Sequence, residues 1–143
     1  MASTRATVRR AASDDLQQVT AFLAAEGIPP FHAAAVVGEG EALAWLAVDA
    51  GGIAALALAR WLASDDGLRR GGIDELAVAR SHRGQGLGRL LLETAEDHFR
   101  SAGAAGMQLT VRADNAPARA IYDAAGYRIV EERLRMWKDF RPG

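Results

Sequence analysis

Two spacings of apolar residues along the chain distinguish strands from helices. Short runs rich in Val, Ile, Leu and Ala, bounded by Gly, Asp and Ser, predict extended structure. Alanine favours helices, so its abundance in the second and third runs argues weakly against strands there. The predicted strands are Ala6–Ala11, Glu41–Asp49, Ile53–Ala63, Ile73–Ala79 and Met107–Ala113, with one or two more in the final segment Tyr127–Phe140.

Apolar residues three and four apart predict three helices, each of which ends at a glycine. The first begins at Ser13 as N-cap and stops at Gly27, and the second runs from Leu87 to Gly103. The third is capped by Asn115, has Pro117 in its first turn and closes at Gly126. The segment Ile28–Gly40 is interpreted as a turn and a short irregular helix.

The order of these elements predicts one α/β (α+β) domain over residues 1–143. Helices would flank a mixed central sheet of about six to seven strands. The three strands Glu41–Asp49, Ile53–Ala63 and Ile73–Ala79 follow one another before the glycine-rich segment with no helix between them, so the chain is not a regular alternation of strands and crossover helices. With 143 residues, half of them hydrophobic, it can bury a core of ordinary size.

Composition and charge exclude several classes of function. The net charge is −1, from 17 basic and 18 acidic side chains, which predicts no partner among nucleic acids or anionic membranes. The absence of cysteine excludes disulfides, thiolate metal sites and a cysteine nucleophile, and three scattered histidines argue against a metal. No apolar run is long enough to span a bilayer, and no apolar signal core begins the chain, so a cytoplasmic protein is expected.

The segment Arg83-Gly84-Gln85-Gly86-Leu87-Gly88 leads directly into the second helix. Glycines in front of a helix let its free N–H groups approach a phosphate, and Arg83 and Arg89 would add charge. The alternative is a turn that binds nothing. Two other phosphate loops fit badly, because the glycines are not spaced as GxGxxG and no lysine followed by Ser or Thr is present.

Two motifs in this chain resemble the GNAT family of acetyl-CoA-dependent N-acetyltransferases. The family's phosphate loop, Q/R-x-x-G-x-G/A, is matched by Arg83, Gly86 and Gly88, and "DELAV" before it resembles the family's fourth strand. A second pattern, N-x-x-A-x-x-x-Y-x-x-x-G-F/Y, is matched by Asn115, Ala118, Tyr122, Gly126 and Tyr127. The resemblance covers Ile73–Tyr127 and implies a sheet splayed at the cofactor site.

This resemblance implies direct acetyl transfer from acetyl-CoA to a primary amine within a ternary complex, without a metal. The amine could belong to a small molecule, a protein N-terminus or a lysine. Tyr122 would donate to the leaving sulfur, although a tyrosine packed in the core is the structural alternative. The implied cofactor-binding residues are Leu76, Ala77, Val78, Arg83, Gly84, Gln85, Gly86, Leu87, Gly88, Arg89, Asn115, Ala118 and Tyr122.

Asp74 and Glu75 are the candidate general bases. Neighbouring strand residues face opposite sides, so only one could point at the acceptor unless a bulge, usual in this family, intervenes. A water chain could replace both, and either carboxylate could instead be solvated or paired with an arginine.

The acceptor is expected to contact two variable segments, Glu26–Gly40 and Ser64–Gly72. Within or beside them, the candidates are Phe31 and His32 for a small pocket, Glu26, Glu39 and Glu41 for a cationic amine, and Arg69 and Arg70 for an anionic group. His82 and His98 are expected at the surface. Trp45 and Trp61 are expected in the core or the acceptor pocket.

Two alternatives to the enzyme remain open. One is a non-catalytic acyl-CoA-binding sensor or interaction module on the same fold, and the other is a different phosphate-binding protein. A homodimer through the last strands, which include Trp137, is compatible with their mixed polar and apolar residues.

Overall fold

The computed structural model describes residues 6–28 and 42–141. Phe31, His32, Glu39 and Glu41, and the irregular helix predicted between Ile28 and Gly40, therefore lie outside the described residues apart from Ile28 itself. The chain divides into two compact units, one ending at Arg112 and the other beginning at Ala113.

The strands are β1 (Thr7–Arg10), β2 (Ala42–Asp49), β3 (Gly52–Ala63), β4 (Arg69–Val78) and β5 (Met107–Leu109). The helices are α1 (Leu16–Ala25), α2 (Leu87–Ser101) and α3 (Ala116–Ala124), with short 3-10 turns at Ser13–Asp15 and Arg80–His82. Within the described ranges, no helix is both long enough and apolar enough to cross a membrane.

All five strands form one mixed sheet in the order β1-β2-β3-β4-β5. The first four are antiparallel neighbours, whereas β4 and β5 run parallel over three residue pairs. This confirms the mixed α/β architecture. The alanine-rich runs are strands because their small side chains are completely buried in the sheet, as at Ala55, Ala57 and Ala59.

The sheet is covered on both faces because its strands alternate their side chains. On one face, Val19 and Leu23 of α1 pack with Leu46, Leu56 and Leu58 of the central strands. The opposite face meets α2 through Phe99, which is completely buried.

Aromatic edge contacts and one glycine fix the packing of α2. The ring of Phe99 lies 4.9 Å from that of Trp61 and 6.3 Å from that of Trp45. A Cβ atom added to Gly71 of β4 would lie 2.5 Å from Cγ of Phe99, so only glycine lets the ring rest on the strand.

Asp15 replaces Ser13 as the residue that organises the start of the first helix. Its carboxylate accepts two hydrogen bonds of 2.8 Å from the Arg9 guanidinium and one of 2.8 Å from the Ala12 amide. These contacts, with Arg9 first, lower the pKa of Asp15 to about 2. The prediction of Ser13 as N-cap was wrong, because a side chain two residues later reaches that amide.

The expected six to seven strands were too many, because the described residues contain five. Residues 127–141 form no strand, and their apolar side chains are exposed; Val130, for example, is 83% exposed. Strand propensity alone does not make a strand, which needs a hydrogen-bonding neighbour. β4 also begins earlier than predicted, at Arg69, and β5 ends earlier, at Leu109.

Replacing Gly71 with alanine should destabilise the protein. The new methyl group would displace Phe99 or Met107, whose sulfur would lie 2.7 Å away. Overpacking of this kind costs about 1–3 kcal/mol in free energy of unfolding, measurable by urea denaturation. Gly106→Ala is the matched control, since Gly106 accepts a hydrogen bond from Gly71 but its Cβ would meet nothing within 4 Å. Equal losses in the two variants would contradict the packing argument.

Candidate functional site

The glycine loop forms an open cradle at the start of α2. Gly84 and Gly86 both adopt a left-handed backbone with φ of +80°, which other residues rarely tolerate. Gly86 is the N-cap of α2, and because it has no side chain it forms no capping hydrogen bond to the helix. Among the described residues, a Cβ at either glycine would meet nothing within 4 Å. The N–H groups of the first helical turn have no partner within the helix, and the space around the two glycines is free of other atoms, which is an arrangement that suits an anion.

Arg83 lies at the mouth of this loop, and its side chain is 59% exposed. Its Nε donates a hydrogen bond of 3.2 Å to the carbonyl of Val78, and its guanidinium lies 3.7 Å from the carboxylate of Glu26. Arg83 is thus held beside the loop with donors still accessible. Arg89 pairs instead with Glu93 one turn along α2, at 2.9 Å.

The remaining predicted loop residues differ in exposure. Gln85 is exposed, whereas Leu87 and Gly88 are buried at the start of α2. Leu87 therefore belongs to the packed side of the helix, and Gln85 is accessible to a ligand at the loop.

A hydrogen-bonded chain of three side chains fastens the turn before the loop to the β2–β3 hairpin. Nε2 of His82 lies 2.6 Å from Oδ2 of Asp49, and Nδ1 of His82 lies 2.8 Å from the hydroxyl of Ser81. With its Nε2–H donating to Asp49, neutral His82 would accept from Ser81. The His82 hydrogen bond, and then that of the Gly51 amide, holds the pKa of Asp49 below its ordinary value.

The expectation that His82 is exposed was wrong, because the imidazole is half-buried by this contact. Asp49 and His82 are 33 residues apart, and no local spacing pairs them. The only signal in the sequence was the position of a histidine immediately before the loop.

One edge of β4 is left open beside the loop. Parallel pairing with β5 covers Gly71 to Ile73 and stops there, while β4 continues to Val78. The amide of Ala79 donates to Ala54 of the neighbouring hairpin, so strand alternation directs the N–H and C=O groups of Leu76 and Val78 to the open edge. From Asp74 onward, no described strand pairs with this edge. The sheet is therefore splayed, as expected.

A β-bulge places both candidate bases on one face of the sheet. Leu58 of β3 pairs with Glu75, but the next residue, Ala59, pairs with Ile73, so Asp74 is the extra residue. Oδ1 of Asp74 lies 3.1 Å from Nε of Arg60, which shares a face with Leu58. Strict alternation would have put the two carboxylates on opposite faces of the sheet. The bulge instead puts both on the face where Leu56 and Leu58 pack against α1.

A groove opens on this face where β4 and β5 separate. Its volume is about 270 Å³, and the Arg60–Asp74 ion pair forms part of its wall. Arg60 on β3 was missed by the sequence analysis, as were the β5-side residues. The lining residues are Arg60, Leu62, Gly72, Ile73, Asp74, Gln108, Leu109 and Thr110.

The second motif is gathered on α3 in the other compact unit. The side chain of Asn115 caps this helix by accepting a hydrogen bond of 3.3 Å from the Ala118 amide, as predicted. Tyr122 is buried, and its ring contacts that of Tyr127 at 5.8 Å between centroids. The Tyr127 amide also donates to the Tyr122 carbonyl at 3.0 Å. The residues of this motif thus stabilise one another locally.

Two predicted acceptor residues are engaged elsewhere. Arg69 lies over the Trp61 ring at 4.4 Å, and Arg70 pairs with Asp66 at 3.0 Å. In the described part of the chain, no cluster of three or more His, Cys, Asp or Glu could hold a metal ion.

His98 is not at the surface as expected. It is partly buried against Trp45, with ring centroids 5.3 Å apart. Burial, and then the charge of Arg10, lowers the pKa of His98.

The family model "Acetyltransferase (GNAT) family" matches residues 11–127. Because this match covers most of the chain, the protein belongs to the GNAT acetyltransferase family. The resemblance seen in the two motifs is thereby confirmed.

Named relatives support acetyl transfer in general terms. The chain is 38% identical over 81 residues to a mycothiol acetyltransferase of Corynebacterium kroppenstedtii, an alignment covering 57% of this chain and 22% of the relative. It is 37% identical over 79 residues to a streptothricin acetyltransferase of Streptomyces lavendulae, covering 55% of this chain and 39% of that protein. The chain thus spans well under half of each curated relative.

Solved structures confirm the fold. A ribosomal-protein-alanine N-acetyltransferase from Brucella melitensis biovar Abortus superposes with a TM-score of 0.78 at 19% identity, covering 92% of this chain and 99% of the other. At this identity the likeness shows the fold alone.

Replacing His82 with alanine should lower the midpoint of thermal unfolding at pH 7, because it removes the hydrogen bond to Asp49. A carboxyl group whose pKa is lowered in the folded state stabilises it above its ordinary pKa of about 4 and loses that contribution as pH falls further. The difference between wild type and variant should therefore shrink on acidification from pH 5 to pH 3. Ser81→Ala, which leaves the Asp49 contact intact, is the control. A difference independent of pH would contradict the role of Asp49.

Proposed function

We propose that the protein is an acetyl-CoA-dependent N-acetyltransferase that transfers the acetyl group directly to a primary amine. The observation that carries the proposal is the left-handed pair Gly84 and Gly86 at the start of α2, next to the open edge of β4. Family membership and relatives named as acetyltransferases support the same reaction class.

The residues present fit acetyl-CoA. The cradle at Gly84 and Gly86 is free of side chains, so backbone N–H groups can bind a pyrophosphate, and Arg83 adds an accessible guanidinium. Gln85, Gly88 and Arg89 complete this loop and first helical turn. The backbone groups of Leu76 and Val78, with Ala77 between them, would pair with the extended pantetheine arm as an additional strand does.

Acetyl-CoA supplies the acetyl group as a thioester and departs as the thiol. The amine nitrogen bonds to the acetyl carbon, the carbon–sulfur bond breaks, and one proton moves from nitrogen to a base. We assign this base to Asp74, which lines the groove, or to Glu75 on the same face. The family motif on α3 assigns Tyr122 as the residue that would give its hydroxyl proton to the leaving sulfur, and assigns Asn115 and Ala118 to cofactor binding.

Replacing Gly86 with aspartate should abolish acetyl-CoA binding. The new carboxylate would occupy the cradle and repel phosphate, and a non-glycine residue at φ of +80° adds about 1–2 kcal/mol of strain. Gly103→Asp is the matched control, because Gly103 has a φ of +90° and open space around its Cβ but lies beyond the other end of α2.

Calorimetric titration of both variants and wild type with acetyl-CoA, NADH and ATP measures this effect. We expect selective acetyl-CoA binding by wild type and Gly103→Asp alone. Unchanged affinity in Gly86→Asp would remove the loop assignment. Equal binding of NADH would instead indicate a different nucleotide-binding protein.

Replacing Tyr122 with phenylalanine should lower kcat by about 10²-fold or more, the usual contribution of a general acid, while the Kd for acetyl-CoA stays within about twofold. Thiol release with the best acceptor from an amine panel gives kcat. The chain has two tyrosines, so Tyr127→Phe is a matched control that removes a hydroxyl from the contacting ring. Parallel losses of kcat and acetyl-CoA affinity in Tyr122→Phe would make Tyr122 a structural residue.

A further inference from the structure

The groove between β4 and β5 presents one charge of each sign. Nε of Arg60 and Oδ1 of Asp74 are 3.1 Å apart, and their side chains are 58% and 31% exposed. Both groups can therefore be reached by a ligand without unfolding the strands that carry them. Gln108 and Thr110 add polar groups from the β5 side of the same groove.

The size of the groove limits its occupant. A volume of about 270 Å³ lies just below the ~300–1,000 Å³ typical of pockets for drug-sized ligands. Leu62, Ile73 and Leu109 supply only a limited apolar wall. The groove therefore suits a molecule about the size of a single amino acid.

The ion pair also selects the charge of that molecule. Asp74 would attract an amine that carries only a positive charge. Arg60 lies next to Asp74, so its like charge would repel the same amine from nearly the same distance. A ligand with both an ammonium and a carboxylate group can exchange one ion pair for two, the ammonium on Asp74 and the carboxylate on Arg60. Arginine suits the second contact because its planar fork matches a carboxylate.

We propose that the acceptor is a small zwitterion, such as a free α-amino acid, whose ammonium group binds Asp74 and whose carboxylate binds Arg60. This inference rests on the proposed N-acetyltransferase function. It assigns Arg60 as a specificity-determining residue that contacts the acceptor away from the reacting nitrogen. A peptide N-terminus lacks a carboxylate at this spacing and is a poor fit.

The first arm of the test measures binding without turnover. Free L-amino acids, the corresponding amino acid amides and the corresponding decarboxylated amines are titrated calorimetrically into the protein containing CoA. We expect at least one amino acid to bind tenfold or more tightly than its amide and its amine. Equal affinity within every such set would overturn the proposal.

The second arm replaces Arg60. Arg60→Gln should raise both the Kd in the same titration and KM for the preferred amino acid at least tenfold. It should lower KM for the decarboxylated amine or leave it unchanged, because the like charge next to Asp74 is gone, so that the preference disappears. Arg60→Lys, which retains the charge, should restore part of it. Arg70→Gln is the control. It removes the contacts of Arg70 with Asp66 and Ser64, and Arg70 does not line the groove. A preference for the free acid that survives Arg60→Gln would also overturn the proposal.

The two arms separate this inference from the proposed function. Selective binding of amino acids that depends on Arg60, without thiol release from acetyl-CoA, would retain the zwitterion site and reject the transferase. Thiol release with amines and amino acids alike, unaffected by Arg60→Gln, would retain the transferase and reject the zwitterion site.

Discussion

The pairing of β4 is the constraint on which the candidate site depends. Its first part is hydrogen-bonded on both edges, whereas from Asp74 to Val78 only the β3 edge is paired. Backbone donors and acceptors strongly favour partners, so an edge that stays open inside a sheet is a ready binding surface for an extended ligand. The bulge at Asp74 begins where the parallel pairing ends, and it turns both carboxylates to one face. The end of the parallel pairing and the bulge therefore place the open edge, the groove and the two candidate bases at the same point of β4.

The glycine loop follows that strand without a break, so its position is set by β4 at one end and α2 at the other. Asp49 and His82 add a third attachment, because they tie the turn before the loop to the β2–β3 hairpin. A loop proposed to bind a pyrophosphate through its backbone groups needs such support, since its glycines have little conformational preference of their own. The surrounding elements can therefore hold in one position a loop whose glycines are flexible by themselves.

The ion pair in the groove bears on a question that family membership leaves open. The relatives of this chain include a mycothiol acetyltransferase and a streptothricin acetyltransferase, so family membership alone does not define the acceptor. The pairing of Arg60 with Asp74 in the groove is an observation on this chain itself. Charge complementarity of this kind contributes chiefly to specificity, which is why Arg60 bears on the choice of acceptor rather than on the chemistry.

The sequence by itself determined the features that depend on neighbouring residues. These include the three helices, the Asn115 cap, and the strand that leads into a glycine loop before the second helix, because each follows from periodicity or from local backbone chemistry. Tertiary structure decided what depends on distant pairing. Residues 127–141 form no strand despite their β-forming residues, and His82 is hydrogen-bonded to Asp49, 33 positions away. The bulge places Asp74 on the same face as Glu75 and next to Arg60. Strand partners and registers join residues far apart in the chain, so no local pattern encodes them.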